Sequence, residues 1–136
     1  MNQRIGHIAL VVENYDKAIE FYVQKLNFDL IEDTKLSDTK RWVIIAPKGQ
    51  GGCQLLLAQA SNKEQLSCVG NQTGGRVFLF LYTDNFDRDY LNLVNHKIQI
   101  IHEPVSQPWG RVVVFADLYG NLWDLIEEPK TKDVAI

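Results

Sequence analysis

The chain has 136 residues, 46% of them apolar, which suits one domain or two small modules sharing a core. Its 14 Lys and Arg stand against 17 Asp and Glu, leaving a net charge near −3 with both signs interleaved, so no basic patch is available for nucleic acid. The apolar run in the opening MNQRIGHIALVV is too short to span a membrane and lacks the cleavage site of a secretory leader, and Cys53 and Cys68 form no CxxC pair, so the expectation is a cytoplasmic, non-membrane protein with reduced thiols.

In chain order, residues 7–12 (HIALVV) read as a short strand. Asn14 then suits a helix N-cap. Tyr15, Ala18, Ile19, Tyr22, Val23 and Leu26 share one face of the helix that follows. RWVIIAP (41–47) and CQLLL (53–57) read as strands around the turn KGQGG (48–52). Residues 58–75 are polar and glycine-rich and read as a connector. Within it, Ser61 and Glu64 resemble a capping box for a short helix that Gly70 would end. A strand follows at 76–82, then a helix capped by Asn85 with Phe86, Tyr90, Leu93 and Val94 on its apolar face. RVVVFAD (111–117) and WDLIE (123–127) are strands around the turn LYGN (118–121), and the tail from 130 to 136 is expected to fray.

These elements repeat. HIALVVENYDKAIEFYVQKL (7–26) matches FLFLYTDNFDRDYLNLVNHK (78–97) at a shift of 71. RWVIIAP matches RVVVFAD, and CQLLL matches WDLIE, at a shift of 70. The pattern predicts an α+β fold in a single domain over 1–130, with a module at 1–57, the connector at 58–75 and a module at 76–129. Each module would be βαβββ, and their paired, curved, mixed sheets would flank a shared cleft with the helices outside. Strand alternation turns Ile8, Leu10 and Val12 towards a helix and His7 towards the cleft. In the second module Val77, Leu79 and Leu81 would meet the helix, leaving Arg76, Phe78, Phe80 and Tyr82 on the cleft side.

The repeat, the opening HIALVVENYDKAIEFYVQKLNF and the closing FADLYGNLWDLIEEP together resemble the vicinal oxygen chelate superfamily of glyoxalases, bleomycin-resistance proteins and extradiol dioxygenases. The closing stretch is similar to that superfamily's D-P-x-G-N-x-x-E-L signature, with Leu118-Tyr119 at the Pro-x positions and Asp124 in place of Glu. The resemblance spans nearly the whole chain. It specifies a fold more closely than an activity, because one scaffold hosts many reactions.

In metal-dependent members, four side chains from the first and last strands of the two modules hold a divalent ion. The resemblance carries those positions onto His7, Gln54, Phe78 and Asp124. The repeat pairs them in the same way, His7 with Phe78 and Gln54 with Asp124. The candidate ligands for Zn, Ni, Mn or Fe(II) are therefore His7, Gln54 and Asp124. Phe78 has no donor, Gln54 offers a neutral amide oxygen, and Asp is one methylene shorter than Glu, so the set is degenerate and no cofactor is firmly implied. Without a metal, His7 and Asp124 would form an acid–base pair.

Phe78, Phe80 and Tyr82 would form an aromatic wall for a planar or apolar ligand, with Gln54 as a hydrogen-bonding residue. Trp109, in the loop PWG, would add a rim or lid, and Arg111, matched by Arg41, would meet an anionic group. Trp123 has the opposite parity to Asp124 and belongs under a helix or at an interface. Three functions compete. One is a metal-free protein that binds a small aromatic or apolar molecule, as bleomycin-resistance proteins do. Another is a metal-dependent lyase or isomerase of the glyoxalase kind. The third is an interaction module with a vestigial cleft. Phe78 and the aromatic wall favour the first, and an extradiol dioxygenase is disfavoured because only one of its two histidines is in place. The resemblance also implies a homodimer.

Overall fold

Asn14 and Asn85 open the two principal helices in the same way. Each side-chain oxygen accepts a hydrogen bond from the backbone N–H three residues on, that of Lys17 at 2.9 Å and that of Arg88 at 3.0 Å, which satisfies a donor the helix leaves free. This is a computed structural model that describes residues 1–49 and 51–130. Most of the tail expected from 130 onwards, residues 131–136, lies outside the described residues.

The chain divides into two compact units, Met1–Gln72 and Thr73–Ile136. The first contains β1 (His7–Val12), α1 (Tyr15–Ile19) continued by a π-helical stretch (Glu20–Lys25), β2 (Asp29–Lys35), β3 (Arg41–Ala46), β4 (Gln54–Gln59) and α2 (Lys63–Cys68). The second contains β5 (Val77–Tyr82), α3 (Phe86–Asn95), β6 (Ile100–Gln107), β7 (Gly110–Ala116) and β8 (Leu122–Glu127). The strand orders are β1-β4-β3-β2 and β5-β8-β7-β6. In each sheet the first strand runs parallel to the last, and the remaining pairings are antiparallel. The fold is α+β, with two four-stranded mixed sheets among the described residues. Strands β2 and β6 lie at sheet edges and are largely exposed, so they carry little apolar alternation for a sequence reading to find. No described helix is long and apolar enough to cross a membrane.

Alternation decides what each sheet buries. In the first unit Leu10, Val12, Val43, Ile45, Leu55 and Leu57 are buried on one face. Helix α1 packs on β3 and β4 and buries Tyr15 and Ala18. The Leu26 N–H bonds to the Phe21 carbonyl, five residues back. The wider π turn lets the adjacent Phe21 and Tyr22 both be buried, whereas Ile19 and Val23, expected on that face, are only half-covered. In the second unit Val113, Phe115, Trp123 and Leu125 are buried, as are Phe86 and Leu93 of α3. Val94 is exposed, contrary to the helical pattern, and the Tyr90 hydroxyl donates to Glu103 at 3.1 Å. Each fully buried side chain of this size contributes roughly 1.5–3 kcal/mol.

The connector helix is capped one residue later than the sequence pattern predicts. Asn62, not Ser61, accepts from the Gln65 N–H at 2.8 Å, and the Gln65 side chain accepts from the Ser61 N–H and hydroxyl. The Asn–Gln pair does the work assigned to Ser61 and Glu64, and Glu64 plays no part in it.

The internal repeat has a different register in its last strands. Val43 pairs with Leu57, whereas its counterpart Val113 pairs with Leu125, so β8 residues lie 68 positions after their β4 counterparts rather than 70. The capping contacts agree. The Gln59 side chain accepts from the Tyr15 N–H, and the Glu127 side chain accepts from the Phe86 N–H. The link from β3 to β4, residues 47–53, is two residues longer than the link from β7 to β8, residues 117–121. The counterpart of Asp124 is therefore Leu56, and that of Gln54 is Leu122.

Candidate ligand-binding site

Asp124 projects from β8 between Phe80 on β5 and Val114 on β7, its partners across the two ladders. Two residues away along β8, on the same face, are Leu122 and Ile126. None of these four side chains can donate a hydrogen bond. One carboxylate oxygen, Oδ1, is closed off from solvent and has no hydrogen-bond partner. Burial pushes the Asp124 carboxyl above the usual carboxylate range, because the charged form loses hydration. Phe80 and Tyr82 stand out from the same face, 58% and 59% exposed.

The turn before β8 explains most of the closing sequence signature structurally. Asp117 accepts from the N–H groups of Tyr119 and Asn121 and from the Asn121 side chain, each at 2.9 Å. Both Asp117 and Asn121 are buried. Gly120 has φ 101°, a left-handed conformation that glycine adopts without strain. These residues build a turn that sets where β8 begins. Asp124, three residues beyond Asn121, takes no part in these turn contacts.

The remaining candidates distribute unevenly. Phe78 leaves the cleft-side row: a register shift between Val77 and Leu79 breaks the alternation, and its ring meets the edge of Trp123 at 6.4 Å. Trp123 is 2% exposed and stacks on Phe115, as its parity predicts. Arg111 lies on the helix side of its sheet, where its guanidinium sits 4.3 Å over the Phe86 ring and bonds Asp87 at 3.0 Å. It braces α3 rather than presenting a cation beside Asp124. Trp109 occupies the tip of the β6–β7 hairpin and is 53% exposed. In the first unit, His7 stands beside Gln54 on the first rung of the β1–β4 ladder. The Trp42 ring approaches His7 edge-on at 6.1 Å. The sequence reading missed Val114, Leu122 and Ile126 as the surroundings of Asp124. Period-two alternation along β8 was the signal for Leu122 and Ile126, and the short β7–β8 link, residues 117–121, was the signal for Val114.

The sequence profile of the glyoxalase/bleomycin resistance protein/dioxygenase superfamily matches residues 4–125. The chain belongs to this superfamily. It is similar to an uncharacterized protein of Shewanella frigidimarina (strain NCIMB 400), 57% identical over 93% of this chain and 95% of the relative. Among solved structures, UcmS2 matches with a TM-score of 0.79 at 25% identity, covering 93% of this chain and 98% of that one. TnmS3, described as an antibiotic binding protein from Streptomyces sp. CB03234, matches with a TM-score of 0.74 at 28% identity, covering 94% and 98%.

Superfamily members often use a divalent metal, and such an ion needs about three firm protein donors. Here Phe78 supplies none, and Gln54 supplies a neutral amide. The counterpart of Asp124 in the first sheet is Leu56. Among the described residues no group of three or more His, Cys, Asp or Glu side chains is placed to hold a metal. The donor set does not fit a resident divalent ion.

Proposed function

We propose that this superfamily member is a binding protein that holds a small aromatic or apolar molecule against the β5–β8–β7 face without a metal. Phe80 and Tyr82 form the wall, Asp124 is the polar anchor, and Trp109 is an exposed rim at the hairpin tip. His7 and Gln54, which share a rung of the first sheet, are not metal ligands in this reading. The carrying observation is the pair of exposed aromatics beside a carboxylate oxygen that lacks a partner. Exposed aromatic side chains clustered around one polar group mark ligand sites more often than bare surface. The likeness to TnmS3, an antibiotic binding protein, supports the same reading. We further read the protein as cytoplasmic and homodimeric, with residues 1–130 acting as one domain. Sedimentation of a monodisperse monomer would overturn the dimer.

The test is calorimetric titration with bleomycin and a panel of planar aromatic antibiotics, for wild type and Phe80→Ala. Saturable binding of at least one compound is expected, weakened roughly tenfold or more in the variant by the loss of buried aromatic area. Absence of saturable binding across the panel, or unchanged affinity in Phe80→Ala, would reject the assignment.

A further inference from the structure

The chemistry around Asp124 narrows the class of ligand, and the narrowing rests on the binding role proposed above. Asp124 is flanked across both ladders by Phe80 and Val114 and along its own strand by Leu122 and Ile126. No side chain next to it on this face can donate a proton. A carboxylate placed on a sheet face costs stability unless its oxygens are hydrogen-bonded. Within the fold, Oδ1 has no partner.

The carboxyl is only half-buried, and Oδ2 is not closed off as Oδ1 is. The terminal torsion of aspartate is broad and close to twofold, so the carboxyl can turn about it with no change in the backbone. A donor arriving from the open side can therefore reach the carboxyl without rebuilding the strand. Its nearest neighbour across the β5–β8 ladder is the exposed Phe80. Tyr82, two residues along β5, extends the aromatic surface and pairs with Ile126. Arg111, the cation on β7 nearest in sequence, faces the other side of the sheet against Phe86. On β5, β8 and β7 the face therefore offers an acceptor and flat apolar area with no Lys or Arg for an anion, and the nearest basic side chain on the same row is His102 of β6, beyond Val114.

We infer that the ligand is a planar aromatic molecule with a hydrogen-bond donor on its rim, a phenolic O–H or a ring N–H, which stacks on Phe80 and donates to the Asp124 carboxylate. Molecules of the same outline that lack the donor are discriminated against. A site built around an acceptor rejects an analogue without the donor, because the acceptor is then buried unpaired.

The test compares 2,6-dihydroxyanthraquinone with its dimethyl ether, by calorimetry, on wild type, Asp124→Leu, Asp124→Asn and Phe80→Ala. Thermal melts confirm that each variant is folded. Wild type is expected to bind the diol roughly ten- to a hundredfold more tightly than the ether, the range for a hydrogen bond to a charged group. Asp124→Leu should bind both compounds with the ether's affinity. Asp124→Asn, which keeps an acceptor oxygen, should recover part of the preference. Phe80→Ala should weaken both compounds alike. Equal affinity of wild type for the two compounds, or a preference that survives in Asp124→Leu, overturns the donor requirement and leaves the face a ligand site. Binding of neither compound to wild type overturns the donor requirement together with the ligand-binding role of the face.

Discussion

Asp124 sits directly across the β5–β8 ladder from Phe80. The carboxylate thus faces a side chain that gives it no hydrogen bond, and Oδ1 remains unpartnered. Burial raises its pKa above the ordinary 3.8. An acid shifted in that direction favours the fold below its unfolded pKa, and the advantage is lost as the pH rises through the folded value. At pH 7 the charged form is therefore a liability. Asp124→Leu, which places an apolar side chain among Leu122, Ile126 and Val114, is expected to stabilise the protein by about 1 kcal/mol at pH 7. The gain should shrink as the pH falls towards 3.8, where wild type sheds the charge. Urea unfolding of the two proteins at both ends of that range measures it. Destabilisation at pH 7 would show that the carboxylate has a favourable partner after all.

Arg41 and Arg111 repeat one device. Arg41 lies 5.1 Å over the Tyr15 ring and bonds Asp33 at 2.6 Å and Asp16 at 2.9 Å. Arg111 covers Phe86 and bonds Asp87. Each clamps a central strand to the first turn of its helix. The Arg41 site is the more enclosed, with side-chain exposures of 27% and 29% for Arg41 and Asp33 against 41% and 83% for Arg111 and Asp87. Solvent screening therefore costs the second clamp more. Arg41→Ala is expected to lose about 1–2 kcal/mol, and Arg111→Ala about half as much. Arg41→Lys should recover little, since lysine cannot make the forked contact. The Arg41 hydrogen bond lowers the Asp33 pKa, so this contribution is present above 3.8 and disappears as the pH falls through the lowered value. Urea midpoints at pH 7 and about pH 3 should show the Arg41→Ala penalty shrinking in acid.

Local signals carried the fold well. Asn14 and Asn85 read as caps because their preference is set within one turn. The burial of Leu10 and Val12 reads from alternation alone, as does the opposite parity of Trp123 and Asp124. Non-local register was harder. Comparing CQLLL with WDLIE without a gap hides the two-residue difference between the links before β4 and β8, and that difference moves the counterpart of Asp124 from Gln54 to Leu56. The shift at Phe78 was equally hidden, because it is held by the Trp123 contact, which no period in the sequence encodes. The π turn at Phe21 and Tyr22 breaks the 3.6-residue spacing on which the helical face was drawn.

Gly110 starts β7 opposite Gln107, with φ 145°. A Cβ there would lie 2.5 Å from the Glu127 carbonyl oxygen, and that neighbour is backbone and cannot swing away. Gly110→Ala is expected to cost roughly 2–4 kcal/mol. It should also disturb the hairpin tip and change the fluorescence of Trp109. Gly49 gives the control: it too has positive φ, at 111°, but nothing lies within 4 Å of its would-be Cβ. Gly49→Ala should cost only about 1 kcal/mol. Equal penalties at the two sites would mean that backbone conformation, and not the approach of β8, decides both.

The register also bears on metal retention. His7 and Gln54 share a rung of the first sheet, and their counterparts in the second, Phe78 and Leu122, have no donor atoms. Asp124 shares its rung with Phe80, and the counterpart rung holds Ala9 and Leu56. The two rungs that carry the candidate ligands are thus each matched by an apolar rung in the other sheet, so the repeat does not supply paired ligands. After incubation with Zn, Ni, Mn or Fe(II) and desalting, wild type is expected to keep well under one equivalent of metal, and His7→Ala the same amount. Near-stoichiometric metal that vanishes in His7→Ala would overturn this. It would mean that His7 and Asp124 ligate without a symmetric set, and the lyase chemistry of the glyoxalases would then be the first activity to assay.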